Sequence, residues 1–269
     1  MPSPRLWPYS QSNSPGQRLT HSAIVTSDDV IDVVNSDSLD PSHICVSNDD
    51  MLAILRTYKC QGLDMDVWLA NHQQPLLADR RCVVLAGEFS NPYRLVDVGL
   101  GIVPIFSVRL EGICRTWADS LDAREANPGV HHVTLARSAG WWEGTHIGML
   151  TPEQFRTMMQ WLDNGQRGTW RPAKLGEGLI RLSLNEDEPP SKTDIDWDGE
   201  EEIVKLSIPL GTGPQLPLRE IIVPLHAKVG CYNHRGRIAR CVHYPQREFH
   251  ENLFRRGSSF PYDAIIHIQ

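Results

Sequence analysis

The sequence predicts an α+β fold, a mixed β-sheet or small barrel with a helical N-terminal portion. Three observations lead there. Helical spacing of apolar residues is confined early in the chain to residues 48–71. Apolar runs of strand length recur from residue 82 onward, and helices do not alternate with them as a doubly wound sheet requires.

Residues 1–22 are rich in Pro, Ser, Gln and Asn and read as a disordered or surface arm. Residues 23–80 read as a mostly helical N-terminal portion. One helix starts at Asn48 or Asp49 as N-cap and carries Met51, Leu52, Leu55 and Tyr58 on one face, with Gly62 to stop it. A second, from Asp64 to Asn71, aligns Met65, Trp68 and Leu69. Residues 81–269 read as the mixed sheet or barrel domain, with an acidic loop near 184–202. Strands are expected at Cys82–Ala86, Tyr93–Val98, Ile102–Val108, with Pro104 at an edge or bulge, and Val130–Ala136. Thr151, Pro152 and Gln154 form a capping box ahead of a helix that ends near Leu162. Later strands fit residues 178–184, 202–208, 219–225, 236–244 and 264–268.

Composition bounds the function. The 269 residues, 41% of them hydrophobic, suffice for a real core. No run approaches the roughly 18 apolar residues that cross a bilayer, and the proline-rich N-terminus does not read as a secretory signal. The six cysteines form no C-x-x-C pair and read as reduced thiols, so the expected compartment is the cytoplasm, away from membranes. A net charge of −7 counts against general nucleic-acid binding. Charge is uneven, however. Residues 184–202 carry nine acids and one base, and residues 226–257 carry seven Lys or Arg and two acids. The two segments fit an acidic loop against a basic face of one fold. The alternative is a docking surface for an acidic protein or nucleic acid, built on Arg235, Arg237 and Arg240.

Phosphate-loop, nucleophile-elbow and H-E-x-x-H motifs are absent, and no cofactor is expected. The histidines His226, His234, His243 and His250, with Cys231 and Cys241, lack the spacing of a zinc knuckle, so they read as surface or anion contacts before metal ligands. His131 and His132 adjoin at a strand start, where alternation puts them on opposite faces and keeps them from sharing a site. Gly140–His146, with two tryptophans, reads as a tight turn whose indoles cap a core, or as a stacking platform. The run from Val83 to Gly87, followed by Ser90 and Asn91, places a glycine, a hydroxyl and an amide at a strand end, an arrangement that holds carboxylates or oxyanions.

The order of these pieces resembles the γ-glutamylcyclotransferase-like fold over about residues 82–166. The loop from Leu85 to Ser90 corresponds to that family's substrate loop. Val108–Trp117 corresponds to its L-x-G-Y-R-R-x-W strand, and Leu150–Phe155 leads to Leu162-Asp163-x-x-Gln166, the counterpart of L-D-x-x-E. The resemblance implies a small barrel and intramolecular cyclisation of a γ-glutamyl amide. Gly87, Ser90 and Asn91 would bind the substrate. Two positions depart. The loop tyrosine is absent, and Gln166, which exchanges no proton at neutral pH, stands at the acid position. Glu125, in a second match at Leu121–Glu125, is the first candidate for proton transfer and Glu143 the next. The sequence therefore supports a small-molecule enzyme of this kind, or a degenerate or interaction protein on the same fold.

Overall fold

The computed structural model describes residues 18–35, 39–126, 129–163, 168–184, 188–226, 230–254, 256–260 and 266–269, without the side chains of 121–130, 232, 234 and 259. Its spine is a long antiparallel hairpin, β6 (Val103–Ala126) and β7 (Gly129–Leu150). Along its free edge β6 pairs in turn with β1 (Ala23–Val25), β9 (Leu179–Leu182) and β13 (Cys231–His234). On the other side β5 (Arg81–Leu85) pairs with β7. The sheet curls into half of a barrel. A fully extended hairpin of this length cannot wrap a core, and glycines supply the bend. Gly112 and Gly140 lie at φ +72° and +71° beside the register shift between Glu111 and Ile113, a conformation that a side chain would strain. The segment 140–146 is accordingly a strand rather than a turn. Trp141 and Trp142 are buried, and Trp142 Nε1 donates to Glu188 O at 2.9 Å.

β5 is apolar without alternation because both its faces are covered. Val83 and Leu85 enter one core cluster, and Cys82, Val84 and Ala86 the other. The first cluster also takes α4 (Pro152–Asp163) through Phe155 and Met158, and the second takes α1 (Asn48–Leu55) and α2 (Met65–Asn71). The capping box of α4 is present, with Gln154 N donating to Thr151 Oγ1 at 3.2 Å and Thr151 N to Gln154 Oε1 at 2.9 Å. In α1 the cap is Ser47, one residue ahead of the expected pair.

The N-terminal portion is less helical than expected. Residues 23–80 hold α1 and α2 together with β1, β2 (Val30–Asn35), β3 (Tyr58–Cys60) and β4 (Leu63–Asp64), which join the large sheet. The strand expected at Tyr93–Val98 is instead α3 (Pro92–Asp97). Asn91 Oδ1 accepts from Tyr93 N at 2.9 Å and Pro92 starts the helix, which outweighs the β-propensity of the run. Two ribbons complete the architecture, β8 (Trp170–Ala173) with β12 (Val223–His226) and β10 (Ile195–Trp197) with β11 (Glu202–Val204). Among the described residues no helix is long and apolar enough to cross a membrane.

Candidate functional site

A narrow cavity of about 40 Å³ opens at the end of β5. The Gly87–Phe89 loop and Val84 form one wall, and Met158, Trp161 and Leu162 of α4 form another. His131 to Val133 of β7, Trp170 of β8 and Pro224 of β12 close it. The last residue of α4 sets one wall in place, because Asp163 Oδ1 accepts from Trp170 N at 2.8 Å. The lining is largely apolar and aromatic, the usual character of a small-molecule site.

The glycine of the expected substrate loop faces this cavity, whereas its two neighbours are engaged locally. Ser90 Oγ donates to Gly87 O at 2.8 Å, and Asn91 caps α3. Glu88, 9% exposed, is the one carboxylate among the described lining residues. It pairs with Arg94 at 2.9 Å, and Arg94 also bonds Asp97 at 2.6 Å and lies over the Trp161 ring at 4.8 Å.

Neither expected proton-transfer residue is placed in the cavity. The side chain of Glu125 lies outside the described residues, as does Gln166. Glu143 is fully buried and absent from the lining. Its Oε2 accepts from Arg115 Nε at 3.0 Å, and its Oε1 accepts from Arg115 N. A carboxylate held this way is a buried ion-pair partner.

Both histidines that strand alternation separates nevertheless line the same cavity. They do so through opposite partners. His131 packs against Phe249 and Phe254 and bonds His250 Nδ1 through Nε2 at 2.9 Å. His132 faces Trp170 and His226, with ring centres 5.1 and 5.5 Å away. Opposite these two residues the facing strand carries a register shift between Trp117 and Leu121. Burial, with the neighbouring His250 adding to it, pushes His131 down to about 3, so the ring is neutral at physiological pH.

The C-terminal histidines disperse. His250 meets His131, His226 meets His132, and His243 bonds Pro190 O at 2.8 Å, while the side chain of His234 lies outside the described residues. Among the described residues no group of three or more His, Cys, Asp or Glu is arranged to hold a metal. The acidic 188–202 segment does lie on the basic C-terminal segment, through Arg240–Glu202 at 2.9 Å and Lys192–Glu248 at 3.7 Å. This corrects the reading of Arg240 as a surface contact. It is 1% exposed, its guanidinium lies 4.6 Å from the centre of the Trp141 ring, and it donates to Ser138 Oγ at 2.8 Å. Arg235 and Arg237 are outside, the first exposed in a turn at φ +54°.

Sequence reasoning missed Trp161 and Trp170 as wall residues, since neither stands in a motif. No protein-family profile matches the chain, and neither a curated protein nor a solved structure matches it.

Proposed function

We propose that this chain is a small-molecule-binding protein of γ-glutamylcyclotransferase-like type in which the cyclisation chemistry has been lost. One observation carries the reading. The two separated pieces of the resemblance, the loop at Gly87 and the helix leading to Leu162-Asp163, converge on a single cavity. Cyclisation needs a group that takes a proton from the amine and returns it to the leaving nitrogen. Gln166 stands where the resemblance puts that group, and Glu143 is tied to Arg115. Glu88, on the cavity wall, is tied to Arg94. This reading therefore holds that Glu125, the first candidate from the sequence, does not supply that group either, and that the ligand is retained without turnover.

The test has two arms. Incubation with γ-glutamylalanine and γ-glutamylcysteine is expected to release no 5-oxoproline, and release by the parent chain overturns the loss of chemistry. A ligand-observed NMR screen of small fragments is expected to give binders that disappear in Leu162→Trp, which fills the cavity. Binders that persist in that variant overturn the placement of the site.

A further inference from the structure

The cavity wall carries a polar atom whose chemistry narrows the ligand. The Trp170 indole is a hydrogen-bond donor only, 6% exposed, and among the described residues its Nε1–H is buried without a partner although the residue lines the cavity. Buried donors are ordinarily satisfied, and unlike Trp141 Nε1, which also lacks a partner among the described residues, this one belongs to a cavity wall, where an acceptor can arrive with a ligand once the ring shifts to expose it. A second atom adjoins the same space. His131 Nδ1 is buried without a hydrogen bond of good geometry among the described residues, although an interaction with the Ser120 backbone favours the protonated ring. Because Nε2 of that ring shares a hydrogen bond with His250 Nδ1, Nδ1 donates or accepts according to the tautomer.

Charge excludes other classes. A charged ligand group entering this lining needs a partner of opposite sign, or its desolvation is uncompensated. Among the described residues, the lining carboxylate Glu88 and Arg94 neutralise each other at 2.9 Å, and His131 is neutral. Of the other described lining residues, Val84, Phe89, Met158, Leu162 and Pro224 offer no charge, and His132, packed against Trp170 and His226, is the one further titratable ring. Size narrows it further. A space of about 40 Å³ takes roughly three water-sized groups at 10–15 Å³ each. That is the head of an amide rather than a zwitterionic γ-glutamyl chain.

We infer that the cavity takes a small uncharged amide or lactam whose carbonyl oxygen accepts from Trp170 Nε1 and whose nitrogen lies towards His131. This rests on the proposed reading of the cavity as a ligand site, and it sets the ligand apart from the charged substrates that the resemblance implies.

Matched probes test it on the full chain. 2-Pyrrolidinone and 5-oxoproline share a lactam ring and differ by a carboxylate, and isobutyramide and isobutyrate are the corresponding open pair. The neutral member of each pair is expected to bind at least tenfold more tightly by ligand-observed NMR titration. Trp170→Phe, which keeps a ring against His132 and His226, is expected to weaken 2-pyrrolidinone about tenfold, the effect of one lost hydrogen bond. Should that variant fail to fold, the indole N–H resonance of Trp170 in the parent is expected to shift on adding 2-pyrrolidinone, and an unmoved resonance overturns the assignment. Equal or tighter binding of 5-oxoproline and isobutyrate also overturns it, while leaving the cavity a ligand site. Binding by none of the four probes overturns both the assignment and the reading of the cavity.

Discussion

Two buried polar regions lie along the same hairpin, and they differ in what their neighbours leave open. In the middle of the hairpin every carboxylate meets a guanidinium. Glu111 takes Arg109 Nε at 2.9 Å and Arg181 Nε at 3.3 Å, and Glu143 takes Arg115 through both oxygens. At the cavity end the one lining carboxylate, Glu88, is paired with Arg94, and Trp170 Nε1 has no partner among the described residues. The first arrangement compensates its charges within the sheet, although Trp141 Nε1 there also lacks a partner among the described residues. The second is complete only when something enters. Burial and residue type alone do not separate the two, since both regions are buried and polar. The adjoining cavity does, since Trp170 lines it and Trp141 does not.

The sharpest way to break this contrast is to remove Glu143. Glu143→Ala leaves the Arg115 guanidinium and its own N–H unmatched inside the sheet. Breaking a buried pair this way is expected to cost about 3–5 kcal/mol, read from the midpoint of equilibrium urea unfolding at constant slope. A catalytic Glu143 predicts the opposite pattern, lost turnover with an unmoved midpoint, and that result would place the active centre in the middle of the hairpin.

Acid probes the same contrast more gently. Burial holds His131 and His146 near 3, below the ordinary imidazole value of 6.5. Between those values the unfolded chain binds protons that the folded chain refuses. Stability is therefore complete above about pH 6.5 and falls as the pH drops towards 3, by at most about 1.4 kcal/mol per pH unit for each histidine. His131→Phe keeps the packing against Phe249 and Phe254 and removes one of the two protons from the slope. Thermal or urea unfolding between pH 6.5 and 4.5 is expected to show a shallower decline in the variant, and an unchanged slope would mean that His131 is already solvated.

What the sequence disclosed follows the range of the physics involved. α1, α2 and α4 were legible because capping and apolar spacing act within a few residues, and the Thr151–Gln154 box needs nothing else. β5 and its closing Gly87 were legible because a buried run must stop somewhere. The same local chemistry was present and passed over at Asn91-Pro92, where a cap and a first-turn proline make α3 out of a strand-like run. The length of the β6–β7 hairpin was hidden by Gly140, which read as the start of a turn and acts with Gly112 as a bend. Arg240 read as surface because its partners Glu202, Ser138 and Trp141 are distant in the chain. Trp170 could not be found at all, since an indole N–H without a partner is a property of the folded surroundings. Alternation does set His131 and His132 against opposite partners, but it does not show that one cavity touches both, because the rest of the lining comes from elements distant in the chain.

The finest cut lies within the loop itself, between residues that brace it and the atoms left for a ligand. Ser90→Ala removes the hydroxyl that donates to Gly87 O, and Asn91→Ala removes the cap of α3. Each is expected to lower stability by about 1 kcal/mol. Neither side chain lines the cavity, so the affinity of each folded variant for 2-pyrrolidinone is expected to stay within about twofold of the parent, against about tenfold for Trp170→Phe. A loss in Ser90→Ala as large as that in Trp170→Phe would return the hydroxyl to the ligand, as the resemblance implied. Affinity that follows Trp170 and ignores Ser90 instead means that the loop is a frame, and that the recognising atoms come from the strands and helix that close around it.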